Sequence, residues 1–438
     1  MISSTVGRPR TTKLHAAEAG PGQIFISAAP SERYDVYKAA ELIYGCVGDV
    51  LRETGAEIVH ERLFGSLRAE LAVMAARHEA LSAGNIPPGG PVTYVQGHPP
   101  WGEGLAGVLV RAISTVAGDD GIWTIEDAGV PCGRSWCRNG NRFVVLQNLQ
   151  GLASGDATVN SPAAQARRVI ERADLLLRKH GGTFRDVIRT WFYLSDILGW
   201  YGTFNSTRNA KYGAFGLVPL SDSEPLLLPA STGIQGDTPQ GGACALDLLA
   251  TLGAKDSKPL IKQMSNQLQE DAFRYGAAFS RGALIRESDV SFIQVSGTAA
   301  IDAAGASLYP GDIRAQIHCT MDRIEALVDQ EGGTLKDICA ATAFVKRAKD
   351  AAVFQKIAAD RGLAEFPGIC VVADICRDEL LFELDAELAL DRSAVFSSVA
   401  SEMTGMGHTV RSALAEQPFG GHVCYTERQS YLEQESTL

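Results

Sequence analysis

Polar and apolar positions alternate most clearly between Phe366 and Leu390, in FPGICVVADICRDELLFELDAELAL. Two strands are predicted there. Ile369 to Ala373 forms the first, led in by Pro367, which cannot donate to a ladder. Leu380 to Glu387 forms the second, with Leu381, Glu383, Asp385 and Glu387 on one face and Leu380, Phe382 and Leu384 on the other. A turn carrying Asp374, Cys376, Arg377, Asp378 and Glu379 joins them. Glu383, Asp385 and Glu387 make one acidic face. From periodicity alone that face is the solvated side of an antiparallel sheet. The competing reading makes Glu383 the wall of a pocket beside Cys376.

The same elements recur upstream. Gln165 to Tyr193 (QARRVIERADLLLRKHGGTFRDVIRTWFY) aligns without gaps on Gln316 to Phe344 (QIHCTMDRIEALVDQEGGTLKDICAATAF). Gln165/Gln316, Gly181/Gly332, Gly182/Gly333, Thr183/Thr334 and Asp186/Asp337 keep one constant offset. Each copy reads as an amphipathic helix, a Gly-Gly stop and a strand. A second helix is predicted next, over 200–215 and 348–361, and then a proline-led strand pair from Pro229 and from Pro367. A gapless repeat of this length marks a duplication. A third, diverged copy precedes them: strand 23–27, helix 35–52, strand 58–67, helix 67–82, and closing strands 91–95 and 107–113.

The predicted units are residues 13–116, 120–253 and 270–392, followed by a Ser/Gly-rich extension, 393–438. The joints fall in Gly118 to Gly121 and in the polar stretch Lys255 to Glu270, both of linker composition. The fold class is therefore α+β, with three tandem units forming a single-chain pseudo-trimer. Its sheets make a barrel-like core with helices outside, and its pockets lie in the clefts between units.

Composition narrows the function. The net charge of −11 and pI near 5.3 disfavour nucleic acid and anionic membranes as partners. The basic N-terminus lacks the apolar core of a secretory signal, and no apolar run is long enough for a membrane span, so a cytoplasmic location is expected. Nine scattered cysteines, with only Cys132 and Cys137 near each other, read as reduced thiols rather than a zinc site. His60, His98, His180 and His318 have no metal spacing, and Gly151 to Asp156 is not followed by a phosphate-loop lysine. Trp123, Trp136, Trp191 and Trp200 read as core or inter-unit packing. Neither a metal nor a cofactor is implied.

The third unit resembles the YjgF/RidA family. The resemblance rests on Phe292 to Thr298 (FIQVSGT), Gly311-Asp312, Gln316, the Gly-Gly-Thr-x-x-Asp turn and the proline-led strands. It implies a small chorismate-mutase-like α+β fold that trimerises, with pockets between subunits and hydrolysis of enamines and imines. Glu383 matches the family's glutamate, whereas its carboxylate-holding arginine is replaced by Ile369.

A more specific resemblance is to the chorismatases, themselves built of such units. It covers about residues 120 to 392 and rests on five patches. These are Arg189-Thr-Trp-Phe-Tyr193; Tyr201, Phe204 and Arg208; Pro229 to Ile234 with Gly241-Gly242; Phe279-Ser-Arg281; and Asp374 to Glu383 (DICRDELLFE). The chain departs in having Tyr275-Gly276 run almost directly into Phe279, without an arginine between, and in carrying an extra N-terminal unit.

This resemblance implies a small carboxylated enol ether such as chorismate as substrate. Hydrolysis needs a carboxylic acid kept protonated near neutral pH and cations for two carboxylates. Glu383 and Cys376 are the expected catalytic residues. Arg208, Tyr201, Arg189, Arg281, Gly297, Thr298, Gln316 and Arg347 are the expected substrate ligands. The Cys376/Gly297 pair resembles that of the 3-hydroxybenzoate-forming chorismatases. The competing functions are an enamine or imine hydrolase and a non-catalytic metabolite-binding protein. A monomer, or a low-order homo-oligomer of such internal trimers, is expected.

Overall fold

The computed structural model describes residues 12–114, 121–155, 159–218, 226–253 and 260–391. The extension 393–438 and the joint residues 118–120 and 255–259 lie outside them. Three mixed sheets follow one another. The first holds β1 (Thr12–Glu18), β2 (Gln23–Pro30), β3 (Ala56–Gly65), β4 (Thr93–Gln96) and β5 (Leu105–Ser114), in the order β1-β2-β5-β3-β4. The second holds β6 (Ile122–Asp127), β7 (Val130–Arg138), β8 (Asn141–Gln150), β9 (Val187–Leu194), β10 (Ala230–Gln235) and β11 (Cys244–Leu252). The third holds β12 (Leu260–Met264), β13 (Gly282–Arg286), β14 (Val290–Ala299), β15 (Ile338–Val345), β16 (Gly368–Val372) and β17 (Phe382–Asp391). Orders β6-β7-β8-β11-β9-β10 and β12-β13-β14-β17-β15-β16 repeat the first sheet with one strand added at the edge.

Two helices cover each sheet: α1 (Val36–Thr54) and α2 (Glu70–Ala83), α3 (Pro162–Lys179) and α4 (Ile197–Ala214), α5 (Ile313–Asp329) and α6 (Asp350–Asp360). Local chemistry sets their ends. Asp35, Ser161 and Asp312 cap α1, α3 and α5 through backbone N–H groups of the first turn. The repeated Gly-Gly stop works through Gly181 and Gly332, whose φ of +84° and +75° is left-handed backbone that a side chain resists. The repeated Thr and Asp then form two matching capping boxes, with Thr183 N donating to Asp186 and Thr334 N to Asp337, each at 2.7 Å.

Four large apolar cores result among the described residues, beside a small cluster of Ala272, Ala277 and Phe279. Three lie between a sheet and its own helices, and the fourth lies inside, where all three sheets face one another. The inner core joins Phe25 and Phe64 of the first unit, Trp136, Phe143 and Trp191 of the second, and Phe292 and Phe344 of the third. A ring of backbone bonds ties the units head to tail. Gln96 N donates to Asp237 O (2.8 Å), Gln235 N to Asp374 O (3.1 Å), and Val372 N to His98 O (2.8 Å). Each donor closes the parallel strand of its unit, and each acceptor lies two residues past the corresponding position of the next. This is threefold pseudo-symmetry written in hydrogen bonds.

Several expectations need correction. The sheets remain three separate hydrogen-bonded sheets, joined by isolated bridges such as His98 to Val372 and Ala230 to Ser280, rather than one closed barrel. The proline-led strands do not pair with each other, because β15 lies between β16 and β17. Part of the stretch assigned to a linker, Leu260–Met264, is an edge strand antiparallel to β13. Trp123 is 40% exposed on edge strand β6. Above all, the acidic face of β17 is not solvated: Glu383, Asp385 and Glu387 are all buried, because the other two units cover it.

Strand registers make the units comparable residue by residue. Thr93, Thr232 and Ile369 share one position, and His60, Arg189 and Ala340 a second. Leu109, Asp247 and Asp385 share a third, and Gly107, Ala245 and Glu383 a fourth. At the seam between units one and two, Asp247 accepts from Thr93 at 2.7 Å and lies 3.0 Å from His60 Nε2. At the seam between units two and three, Asp385 accepts from Thr232 at 2.8 Å and from Arg189 at 3.0 Å. At the third seam the same positions are apolar, and Ile369 fills the space that a Cβ on Gly107 would need.

Deeper in, Glu387 faces Arg62 (3.5 Å) and Arg111 (3.8 Å) of the first unit and accepts from Gln294 (3.1 Å). Replacing one member of a buried ion pair strands the others without water or counter-charge. Glu387→Gln is therefore expected to cost about 3–5 kcal/mol in urea unfolding. A loss below about 1 kcal/mol would mean that Arg62 and Arg111 do not depend on this carboxylate.

Candidate functional site

One cavity lies at the seam between the second and third units. Tyr201 and Arg208 of α4 and Ser231 and Gly233 of β10 form the wall from unit two. From unit three come Gly297 and Ala299 of β14, Cys376 and Arg377 of the turn, Glu383 of β17, and Tyr275, Phe279 and Arg281 from the segment that precedes β13. The enclosed space is about 30 Å³. That is room for a water molecule but not for a six-membered ring.

The polar groups are held by short-range geometry. Arg208 is buried, donates to Asn205 (2.8 Å), reaches Ser231 (3.4 Å), and lies over the rings of Phe204 and Phe279. Its Nε has no partner. Arg281 is buried, donating to the Glu270 carbonyl and to the Tyr275 hydroxyl at 2.7 Å. Arg377 donates to the Gly305 carbonyl at 2.7 Å. Among the described residues no carboxylate forms an ion pair with Arg208, Arg281 or Arg377. Cations buried without a counter-ion are expensive, so their arrangement around one cavity favours an anion there.

Glu383 stands opposite these arginines. Burial pushes its carboxyl up to about 8; Asp385 adds to the rise and Arg189 partly opposes it. It is therefore a neutral acid at pH 7. Gly297 makes room for it, since a methyl group there would overlap Glu383 Oε1 and lie 3.3 Å from Thr232 Cγ2. Burial, with the adjacent Glu383, pushes the Cys376 thiol up to about 12, against smaller downward effects of Arg377 and Tyr201. Cys376 is thus a protonated thiol, not a standing thiolate. Burial also raises the Tyr201 hydroxyl, which stays protonated.

Six of the residues expected at a site line this cavity: Glu383, Cys376, Arg208, Tyr201, Arg281 and Gly297. Four do not. Arg189 is buried behind it, bonded to Asp385 and Thr232. Thr298 turns its hydroxyl to Ser296 O at 2.8 Å. Arg347 is exposed on the surface. Gln316 holds the turn before β17, donating to Glu379 O (2.9 Å) and accepting from Leu381 N (2.7 Å). Its repeat partner Gln165 accepts in the same way from Ala243 N at 2.7 Å, in a unit without the acid, so this glutamine serves the fold. Arg377, Tyr275, Ser231 and Gly233 are the additions. Arg377 is adjacent to Cys376 in the same motif, which was the available signal. Among the described residues no cluster of three or more His, Cys, Asp or Glu side chains could hold a metal ion.

The other two clefts are not equivalent. The position of Glu383 is Ala245 in the second unit and Gly107 in the first, so only one seam carries an acid.

This architecture and site define a class, an α+β pseudo-trimer of YjgF/RidA-type units with one differentiated cleft. Comparison with known proteins agrees. Residues 270–376 match the family model described as Endoribonuclease L-PSP, a stretch within the third unit that stops short of Glu383. A crystal structure of a chorismatase shares the fold at a TM-score of 0.53 and 18% identity, over 76% of this chain and 93% of that one. That span exceeds the second and third units together, so the shared fold reaches into the first. Single-unit proteins match a third of the chain or less. Yeast Mmf1 is 17% identical (TM-score 0.26), with 30% of this chain and 98% of that one covered. A putative endoribonuclease L-PSP from Entamoeba histolytica is 18% identical (TM-score 0.26), over 30% of this chain and 100% of that one.

A carboxyl raised from 4.5 to about 8 binds its proton more tightly in the folded chain, so folding stability falls as pH rises through that window. The penalty is absent below pH 4.5 and complete above pH 8, at a limit on the order of 5 kcal/mol. Glu383→Gln is expected to melt higher than wild type at pH 9, with the difference closing towards pH 5. Parallel melting curves across that range would show that Glu383 ionises normally.

Proposed function

We propose that the chain is a chorismatase-like enzyme that cleaves or rearranges a small carboxylated enol ether such as chorismate, with Glu383 as general acid. One observation carries this reading: a neutral buried carboxylic acid lines one cavity with three arginines that form no ion pair with a carboxylate among the described residues. Arg208, Arg281 and Arg377 would hold two carboxylates. Glu383 would give its proton to the terminal methylene carbon of the enol ether, leaving an oxocarbenium centre at the ether carbon. Water then adds there, returns a proton to Glu383, and the hemiketal collapses to pyruvate and the ring alcohol. In the rearranging variant the Cys376 thiol, which lines the same cavity and is kept protonated by burial, would lie against the ring.

The enclosed space is smaller than such a substrate, so one wall has to move. The segment supplying Tyr275, Phe279 and Arg281 is the natural one. It is irregular around Gly276 (φ +98°) and is tied to unit two through Asn209, which bonds Gly276 O (2.8 Å) and Ala278 N (3.0 Å). A substrate-analogue complex in which this segment is unmoved and the ligand lies elsewhere would place binding outside the cavity.

Enamine or imine hydrolysis is less well supported. The position of that family's carboxylate-holding arginine is Thr93, Thr232 and Ile369 in the three units. The test is incubation with chorismate, assayed for pyruvate. Glu383→Gln should lower turnover by about 10²- to 10⁴-fold, the usual loss for a general acid. Cys376→Ala should still consume substrate, and mass analysis of its product separates the thiol's roles: an unchanged product makes Cys376 a packing residue, and a non-aromatic diol makes it part of a rearrangement. Absence of pyruvate from the wild-type protein would discard chorismate as substrate.

A further inference from the structure

Behind Glu383 lies a buried charge pair that touches no part of the cavity. Arg189 Nη2 donates to Asp385 Oδ2 (3.0 Å) and to Thr232 Oγ1 (2.6 Å), and Thr232 donates in turn to Asp385 at 2.8 Å. Thr342 N also donates to Asp385 Oδ1 at 3.2 Å. Two nitrogens of Arg189, Nε and Nη1, have no partner, so its charge is answered by Asp385 alone among hydrogen-bonded groups. Its guanidinium lies 4.6 Å from the Trp191 ring centre. Asp385 and Glu383 are two residues apart on one face of β17, and Thr232 reaches both, with its hydroxyl on Asp385 and its methyl beside the Gly297 gap that admits the Glu383 carboxyl.

The molecule contains its own comparison. At the first seam the same geometry is built with His60 in place of Arg189 and Ala245 in place of Glu383. Burial lowers the pKa of His60, so that seam pins Asp247 with a neutral ring. A neutral donor is enough where there is no acid to control. At the acid's own seam the donor is an arginine, which stays charged at neutral pH even though burial lowers it to about 10.

We propose that Asp385, bonded to Arg189, is a positioning residue whose carboxylate, two residues along the same strand face, adds to burial in keeping the neighbouring Glu383 carboxyl in its acid form. This deepens the proposed function and rests on its assignment of Glu383 as the acid. Asp385 opposes ionisation of Glu383 and Arg189 favours it, with Asp385 the stronger. The other groups facing Glu383 are Tyr201 and Arg208 from unit two, Cys376 and Arg377 from the turn, and Tyr275 and Arg281 from the preceding segment. None of them changes in the experiment below.

The two halves of the pair must therefore act on Glu383 in opposite directions, which a merely structural role would not produce. The readout is infrared titration of the protonated carboxyl band, assigned by its loss in Glu383→Gln, and needs no substrate. Asp385→Asn is expected to lower the Glu383 midpoint, and Arg189→Met to raise it. The double variant, which leaves no unpaired charge, should fall between the two. A wild-type midpoint at the ordinary glutamate value removes the acid and this proposal together. A raised wild-type midpoint with shifts that are absent, or of the same sign in both single variants, overturns the positioning role and leaves the acid in place. If one single variant loses its fold by circular dichroism, the other decides by sign: a fall in Arg189→Met or a rise in Asp385→Asn overturns the proposal.

Discussion

The inner layer depends on how a carboxylate can be kept in a space that three sheets have closed to water. The answer at two seams is the same: an aspartate on the central strand of one unit is pinned by a threonine and a second donor from the unit before it. These bonds satisfy the buried oxygens and fix the angle at which neighbouring sheets meet, because each donor comes from a different strand of the preceding unit. Arg62 and Arg189 add a further constraint by stacking on the two sides of Trp191, 4.5 and 4.6 Å from its ring centre. Arg111 is enclosed by Phe25, Trp136 and Phe292, one aromatic from each unit. Fully paired, such a network specifies one arrangement of the units; half-paired, it would oppose folding.

Duplication within one chain allows the three seams to diverge. A trimer of identical subunits has three identical clefts. Here the third seam lacks the threonine and aspartate pins: Ile369 packs into the space left by Gly107, while the Val372–His98 backbone bonds and the Glu387 pairs with Arg62 and Arg111 tie the same two units together. The first seam keeps the pins without the acid, and the second has both. The first unit thus lacks the site's chemistry but is not dispensable. It supplies Arg62 and Arg111 to Glu387 and His60 and Thr93 to Asp247, and so helps fix the strands that carry the cavity's other residues.

What was legible in the sequence was what short-range pattern encodes. The Gly-Gly stops and the helix faces of the repeat depend on residues a few positions apart, and they fall where expected. The acidic face of β17 was misread because alternation says which residues share a face, not what covers it; the cover comes from strands more than a hundred residues away. Arg189 and Gln316 were read as ligands because their motifs resemble those of the two families, and both do sit in special environments. The environment is a seam for one and a turn for the other. The repeat itself could have separated them, since Gln165 recurs in a unit that has no acid. Strand β12 was hidden in polar sequence because an edge strand that exposes both Leu260 and Lys262, with Gln263 between Lys262 and Met264, alternates too weakly to stand out.

The cavity's electrostatics form a single balance. Three arginines without carboxylate partners leave an excess of positive charge at a site largely shut off from water, and that excess opposes folding. An ionised Glu383 would relieve it, yet its carboxyl is held in the neutral form by burial and by Asp385. The fold thereby keeps its cations free for an incoming anion and its acid free to give a proton. If Glu383 ionised, it would both pair with the arginines and repel a substrate carboxylate. Placing the Arg189 charge behind Asp385 rather than in the cavity avoids this, since a fourth free cation beside Glu383 would draw its proton off. On the proposed function, the stability lost at this cleft would be the counterpart of affinity for a dicarboxylate, whose two charges would supply the counter-ions that the protein withholds.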